Sequence, residues 1–291
     1  MKKYSSCANL KRIEDINSLF EPLSFIVNQD IRLVEIELNL SQVEFISPLG
    51  AVSLLLLLDK LNHSKLKIIP PKEQVISYMD RMNFFKNCPA PAKLCFKEYY
   101  DLEYYSKRRR NDASNVLLEI TPIKAEEDIN NIFESILHIL CNNGMGSREA
   151  NRIAVIASEL GTNILDHSQG LGFAAIQCYP QRNQVNIGIG DNGIGIVNAL
   201  KPSLVKQLHH NEFSDLDVIK LAFKERTSSK VDADRGMGLS ISREKSFYKT
   251  KQTNFYVKTH KGTYQISNNN IHTICEDSYF PGTYISLEIC F

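Results

Sequence analysis

Glu159 and Asn163 stand four residues apart in a stretch where Ile153, Ile156, Leu160 and Ile164 recur at helical spacing. On one helix that spacing stacks the carboxylate and the amide on a single face, with Asp166 close to the same line. Carboxylate and amide oxygens are hard donors that suit Mg²⁺, which keeps most of its waters and takes few protein ligands. Taken alone, Glu-x-x-x-Asn equally describes the solvated face of an amphipathic helix.

Three further clusters follow downstream. Asp191-Asn192-Gly193-Ile194-Gly195 ends an apolar run. There Gly193 and Gly195 permit positive φ and close approach to the backbone, and Asp191 can accept a hydrogen bond from an exocyclic amine such as that of adenine. Arg235-Gly236-Met237-Gly238-Leu239 opens a helix, where bare backbone N–H groups form an anion site suited to a phosphate chain. Pro281-Gly282-Thr283 enters the last strand with a hydroxyl able to reach a base directly or through water. Each of the three is, by itself, as much a turn as a site. No Gly-x-x-x-x-Gly-Lys-Ser/Thr run occurs, so the phosphate site is not a P-loop, and the dinucleotide fingerprint lacks its third glycine.

The order and spacing of the four lift them above their separate readings. Glu159-Leu-Gly-Thr-Asn163-Ile-Leu-Asp-His167 resembles the N box of the GHKL superfamily of ATP-binding domains. Asp191-x-Gly193-x-Gly195 resembles its G1 box, Gly236-x-Gly238 its G2 box, and Gly282-Thr283 its closing threonine motif. The resemblance spans residues 153–289 and implies ATP and Mg²⁺ as ligands. Carried across, it makes Asn163 the magnesium ligand and Asp191 the adenine reader. Gly193, Gly195, Gly236 and Gly238 would hold lid and phosphates, and Thr283 would support the base. Glu159 matches the general base of the hydrolytic members, and Lys230 sits in the expected lid where it could reach the γ-phosphate.

These residues need elements to hold them. After residue 115 the pattern predicts a strand at 116–120, a helix at 125–141 and a second helix at 148–166 that carries Glu159 and Asn163. A hairpin at 173–179 and 184–190 follows, then a variable lid at 197–234 with a short helix that Ser214 and Asp217 could cap. A helix at 239–247 and strands at 253–259, 263–267 and 283–289 close the domain. The resemblance implies a Bergerat-type α/β sandwich, a mixed sheet with helices on one face.

The preceding residues read as strand, helix, strand, helix at 32–40, 51–61, 66–69 and 74–84. The expected division is a domain at 1–105, a linker at 106–115 and the ATP-binding domain at 116–291. Lys107-Arg108-Arg109-Arg110 is read as a solvated connector and given no site. The segment 33–85 resembles a STAS domain, the fold of anti-sigma-factor antagonists, through Phe45-Ile46, Gly50 and the apolar helix that follows. The family's phosphoacceptor turn reads Ser47-Pro48-Leu49-Gly50 here, so hydroxyls are missing where they are expected and self-phosphorylation loses support. The domain is then a docking or dimerisation element.

A formal net charge of +1 supplies no global field toward nucleic acid or an anionic membrane, so neither is an expected partner. Seven scattered cysteines without a CxxC pair argue against a disulfide framework or a zinc site and for a reducing cytoplasm. The most apolar run, 49–58, is about half of the ~20 residues needed to cross a bilayer and reads as a buried helix. The leading expectation is a cytoplasmic ATP-dependent switch with slow hydrolysis, whose lid controls a protein partner or homodimer surface. A serine/threonine kinase of the anti-sigma-factor type acting in trans, and a non-hydrolysing nucleotide-sensing scaffold, are the alternatives.

Overall fold

The structure is a computed structural model that describes residues 2–5, 9–28, 34–108, 114–208, 213–224, 238–248 and 250–291. Lys2–Ser5 (β1), Asn9–Leu10 (β2), Ile13–Phe20 (α1) and Ser24–Asn28 (α2) open the chain, followed by Glu35–Asn39 (β3), Phe45–Ile46 (β4) and Pro48–Lys60 (α3). Lys65–Ile69 (β5), Glu73–Arg81 (α4), Phe84–Asn87 (α5), Ala90–Lys97 (α6) and Leu102–Lys107 (α7) complete the N-terminal part. The remainder holds Leu117–Pro122 (β6), Glu126–Asn142 (α8), Ser147–Asn163 (α9), Gly172–Tyr179 (β7) and Gln184–Asp191 (β8). Gly195–Leu208 (α10), Asp215–Ala222 (α11), Gly238–Phe247 (α12), Gln252–Ile266 (β9) and Ile271–Cys290 (β10) end it.

The fold is mixed α/β. A three-stranded parallel sheet, ordered β1-β3-β5, serves the N-terminal part, and a five-stranded sheet, ordered β6-β7-β8-β10-β9, serves the remainder. Every pairing in the larger sheet is antiparallel, which corrects the expectation of a mixed sheet. Helices on one face only is corrected as well, because both faces are covered. Ala174, Ile176, Val185, Ile187, Ile189, Ile285 and Leu287 pack with the inward residues of α8 and α9. Phe173, Ala175, Phe280 and Tyr284 join the N-terminal core instead, with Leu10, Phe20 and the leucines of α3.

Helix α3 explains this arrangement. Leu49 and Leu54 through Leu58 are all buried, so the helix is apolar around its circumference, as befits one enclosed on every side. Ile36, Leu38 and Ile68 of the small sheet belong to the same cluster on one flank, and β8 and β7 lie close on the other. Strand β8 reads Val185-Asn-Ile187-Gly-Ile189-Gly190, which by strand alternation sends isoleucines to the helical layer and bare glycines toward α3. A Cβ at Gly188 would overlap the backbone of Leu49, so the glycine sets how closely α3 approaches. Phe20 stacks on Phe280 with ring centroids 3.9 Å apart, fastening α1 to β10 in the same layer.

Several expected elements shift for local reasons. Helix α3 starts at Pro48, three residues before the expected 51, because Ser47 caps it and proline suits the first helical position. The Ser47 hydroxyl accepts from Gly50 N at 3.1 Å and donates to the Leu10 carbonyl at 3.1 Å, a buried structural role. The connector read at 106–115 begins inside α7, and Arg108 is anchored rather than solvated. Its guanidinium donates to the Ser77 hydroxyl at 2.8 Å and pairs with Asp80 at 3.3 Å. Two expected strands, 253–259 and 263–267, are one long strand, β9, which passes through His260 at φ 55°.

Gly188→Ala is expected to destabilise the chain by about 1–3 kcal/mol, the usual cost of overpacking against a backbone that cannot retreat. Urea unfolding followed by circular dichroism measures this; an unchanged midpoint would contradict the close approach of α3 to β8.

Candidate functional site

Helix α9 ends at Asn163, and Ile164–Ser168 continues as a wider π turn before Gln169 takes the left-handed conformation at φ 59°. Such turns rotate the following side chains relative to a regular helix. Here the turn brings Ser168 to Asp191, whose Oδ1 accepts from the Ser168 hydroxyl at 2.6 Å and from Gly193 N at 2.9 Å. The Thr283 backbone N–H is a third donor to this carboxylate, whose two oxygens together offer about four acceptor positions. The turn after α9 and the end of β8 therefore meet through one carboxylate.

Asp191 is buried, and burial is the main reason its carboxyl is pushed up to about 6, against hydrogen bonds from Ser168, Gly193 and Thr283 that pull it down. Such a group switches between acceptor and donor near neutral pH. Behind it stands Asn192, whose Oδ1 accepts from Leu171 N at 2.9 Å and whose Nδ2 donates to Asp59 Oδ2 at 2.8 Å. Asp59 lies in the last turn of α3, so the N-terminal part forms the back wall of this turn.

Thr283 faces Asp191 across the β8–β10 pairing. Beside it, Thr259 Oγ1 donates to the Gly282 carbonyl at 3.1 Å and accepts from Ile196 N at 3.1 Å, tying β9, β10 and the start of α10 into one knot. Gly282 has φ 95°, and a Cβ there would overlap the Asp191 carbonyl, so glycine is required on both counts. Of the two glycines expected to need positive φ, Gly195 has it at 76°, whereas Gly193 is needed for space beside the Ser168 carbonyl.

Glu159 and Asn163 share α9 as expected. Asn163 Nδ2 donates to the Glu159 carbonyl at 2.9 Å, so that of its amide atoms the oxygen is the one that could meet a cation. Glu159 is half-buried, and burial raises its carboxyl while Lys245 of α12 pulls it down. Among the described residues no three His, Cys, Asp or Glu side chains stand together as a metal cage. A lone amide oxygen fits Mg²⁺ held chiefly by water and phosphate oxygens, and does not fit a dedicated protein cage.

Gly238 opens α12 as expected, while Lys230 and Gly236 lie outside the described residues. The stretch at 197–234 is not wholly a loop: α10 occupies its start and α11 its middle, the latter capped by Ser214 with Asp217 as expected. Ser168, Asn192, Thr259 and Asp59 were not legible as site residues. Only Ser168 carried a signal, its place directly after the N-box-like run.

No helix among the described residues is long and apolar enough to cross a membrane. No known family model matches the chain, and no curated protein is significantly similar to it.

The ordinary carboxyl value is 3.8, so the native state holds a proton on Asp191 where the unfolded chain has released it. Stability from this group is fully present below about pH 4 and is lost as pH rises through about 6, a loss on the order of 3 kcal/mol. Asp191→Asn removes that slope. Unfolding free energies at pH 4 and pH 7 should therefore fall more steeply for the wild type than for the variant; parallel profiles would contradict the burial of an ionisable carboxyl here.

Proposed function

We propose that the chain is an ATP- and Mg²⁺-binding regulatory protein of the GHKL type, with a Bergerat-like nucleotide domain joined to a STAS-like N-terminal domain, and that it hydrolyses ATP slowly. The observation that carries this reading is the buried Asp191, oriented by Ser168 and Gly193 and walled by Gly282 and Thr283. A buried carboxylate oxygen with remaining acceptor capacity suits an exocyclic amine, and the surrounding knot excludes water from that contact.

Asn163 supplies the amide oxygen that would hold Mg²⁺, which when bound neutralises phosphate charge and orients the terminal phosphoryl group. Glu159 stands one turn earlier on α9 and acts as the general base that takes a proton from water; its raised carboxyl suits that task better than an ordinary surface glutamate. Gly238 at the start of α12 offers backbone N–H groups to phosphates. Lys230 and Gly236 are assigned to lid and phosphate on the sequence resemblance alone.

Asp59 makes the N-terminal part a participant in binding. Its bond to Asn192 connects α3 to the turn that bears Asp191 and Gly193. Nucleotide occupancy then biases α3 and, through it, the surface that a protein partner or a second copy of the chain would meet. Phosphate transfer to the chain's own Ser47 is disfavoured, because that hydroxyl is buried and committed to capping α3. Location in the cytoplasm belongs to the same proposal.

Glu159→Ala should lower phosphate release by 10²–10⁴-fold while leaving ATP binding within a few-fold. Turnover with γ-labelled ATP measures it. Undiminished release would sink the assignment of Glu159, and label recovered in a protein rather than as free phosphate would favour the trans-kinase reading.

A further inference from the structure

The face of the large sheet turned toward α3 is built of cross-strand rows in register. Phe173, Gly190 and Tyr284 form one row, and Ala175, Gly188, Ser286 and Tyr256 the next. The first lies where α3 covers the sheet, and the second runs from Gly188 under α3 to Ser286 and Tyr256 at the edge of a cleft. The third row is Gln177, Asn186, Glu288 and Asn254, a carboxylate among three amides. Its Asn186 precedes Asp191 by five residues along β8, which puts it roughly 17 Å from the proposed nucleotide carboxylate. A sheet face destined for simple burial carries apolar side chains; a polar row needs another reason.

That row floors a cleft of about 1170 Å³, whose other walls come from residues 9–14, Phe45, Arg81 and the β7–β8 turn. Glu288 is held in place, with Oε1 accepting from Asn186 Nδ2 at 3.4 Å and Oε2 from Asn254 Nδ2 at 3.3 Å. Each of its oxygens retains a further acceptor position. Four cations, Lys11, Arg12, Arg81 and Arg182, line the cleft against two carboxylates, Glu14 and Glu288. None of the four forms an ion pair with another described residue, and Arg81 Nε is buried with no hydrogen-bond partner among them. A buried N–H without an acceptor is costly unless a ligand atom meets it. Phe45, Tyr179 and Tyr256 add flat aromatic surface to the same walls.

We propose that this cleft is a second small-molecule site, separate from the proposed site at Asp191, that takes a phosphorylated purine ligand of nucleotide size. The excess of cations recognises its phosphate, and the aromatic walls accept a planar ring. The acceptor positions left on the two Glu288 oxygens match an edge that presents adjacent N–H donors, which a guanine edge does and an adenine edge does not. The site does not depend on what Asp191 binds.

The test uses the full chain bearing Asp191→Asn, titrated calorimetrically with guanosine monophosphate, adenosine monophosphate and inorganic pyrophosphate. One guanosine monophosphate should bind per chain, at least tenfold tighter than adenosine monophosphate, and pyrophosphate should compete with it. Adding Arg182→Ala, an exposed position whose loss does not threaten folding, should weaken guanosine monophosphate and pyrophosphate alike by several-fold. Adding Glu288→Gln should weaken guanosine monophosphate tenfold and leave pyrophosphate within twofold. Absence of binding at millimolar ligand, equal affinity for the two nucleotides, or indifference to both substitutions would overturn the proposal.

Discussion

Helix α3 lies between a small parallel sheet and a large antiparallel one, and the rest of the molecule follows from that placement. Six of its leucines are buried, each contributing about 2 kcal/mol when removed from water, so withdrawing this helix would cost about as much as the whole stability of a typical domain. The close approach requires Gly188 on β8, where any side chain would meet the backbone of Leu49. The N-terminal part is therefore the third layer of the large sheet, and one apolar cluster runs through both.

The same helix reaches the proposed nucleotide site at its C-terminal end. Asp59 holds Asn192, Asn192 holds Leu171, and Asp191 next door gathers Ser168 and Gly193. Burial pushes Asp191 toward protonation while these hydrogen bonds resist it, and the balance near pH 6 leaves the group responsive at neutral pH. Toward the opposite end of the sheet the rows on this face turn from apolar to polar at Gln177, Asn186, Glu288 and Asn254, which border a cleft. One helix thus separates two chemically different regions of a single sheet face.

Much of this was legible in the sequence because it is local. The spacing of Glu159 and Asn163 placed them on one helix, and Ser214 with Asp217 announced the cap of α11. The apolar run at 49–58 read as a buried helix, although what buried it did not. The missing parts are long-range: Asp59 meets Asn192 across 133 residues, and Ser168 meets Asp191 across 23. The alternation of isoleucine and glycine in β8 read only as an apolar strand; that glycine marks a closely packed helix becomes visible once α3 is seen against it. The π turn after Asn163 was likewise unreadable, since residues 164–168 continue the helical pattern and only the tertiary position of Asp191 shows why the turn widens.

The central proposal is that Asp191 reads a nucleotide base at a turn whose back wall belongs to α3. Calorimetric titration of Mg·ATP into the full chain tests it most directly, with Asp191→Asn, Asp59→Asn and Asp59→Leu titrated beside the wild type. The account predicts one ATP per wild-type chain, loss of at least tenfold in affinity for Asp191→Asn, and a smaller loss for Asp59→Leu. Asp59→Asn, which keeps an acceptor for Asn192, should restore most of that loss. Wild-type protein that fails to bind Mg·ATP, or binds it equally well without the Asp191 carboxylate, would contradict the account.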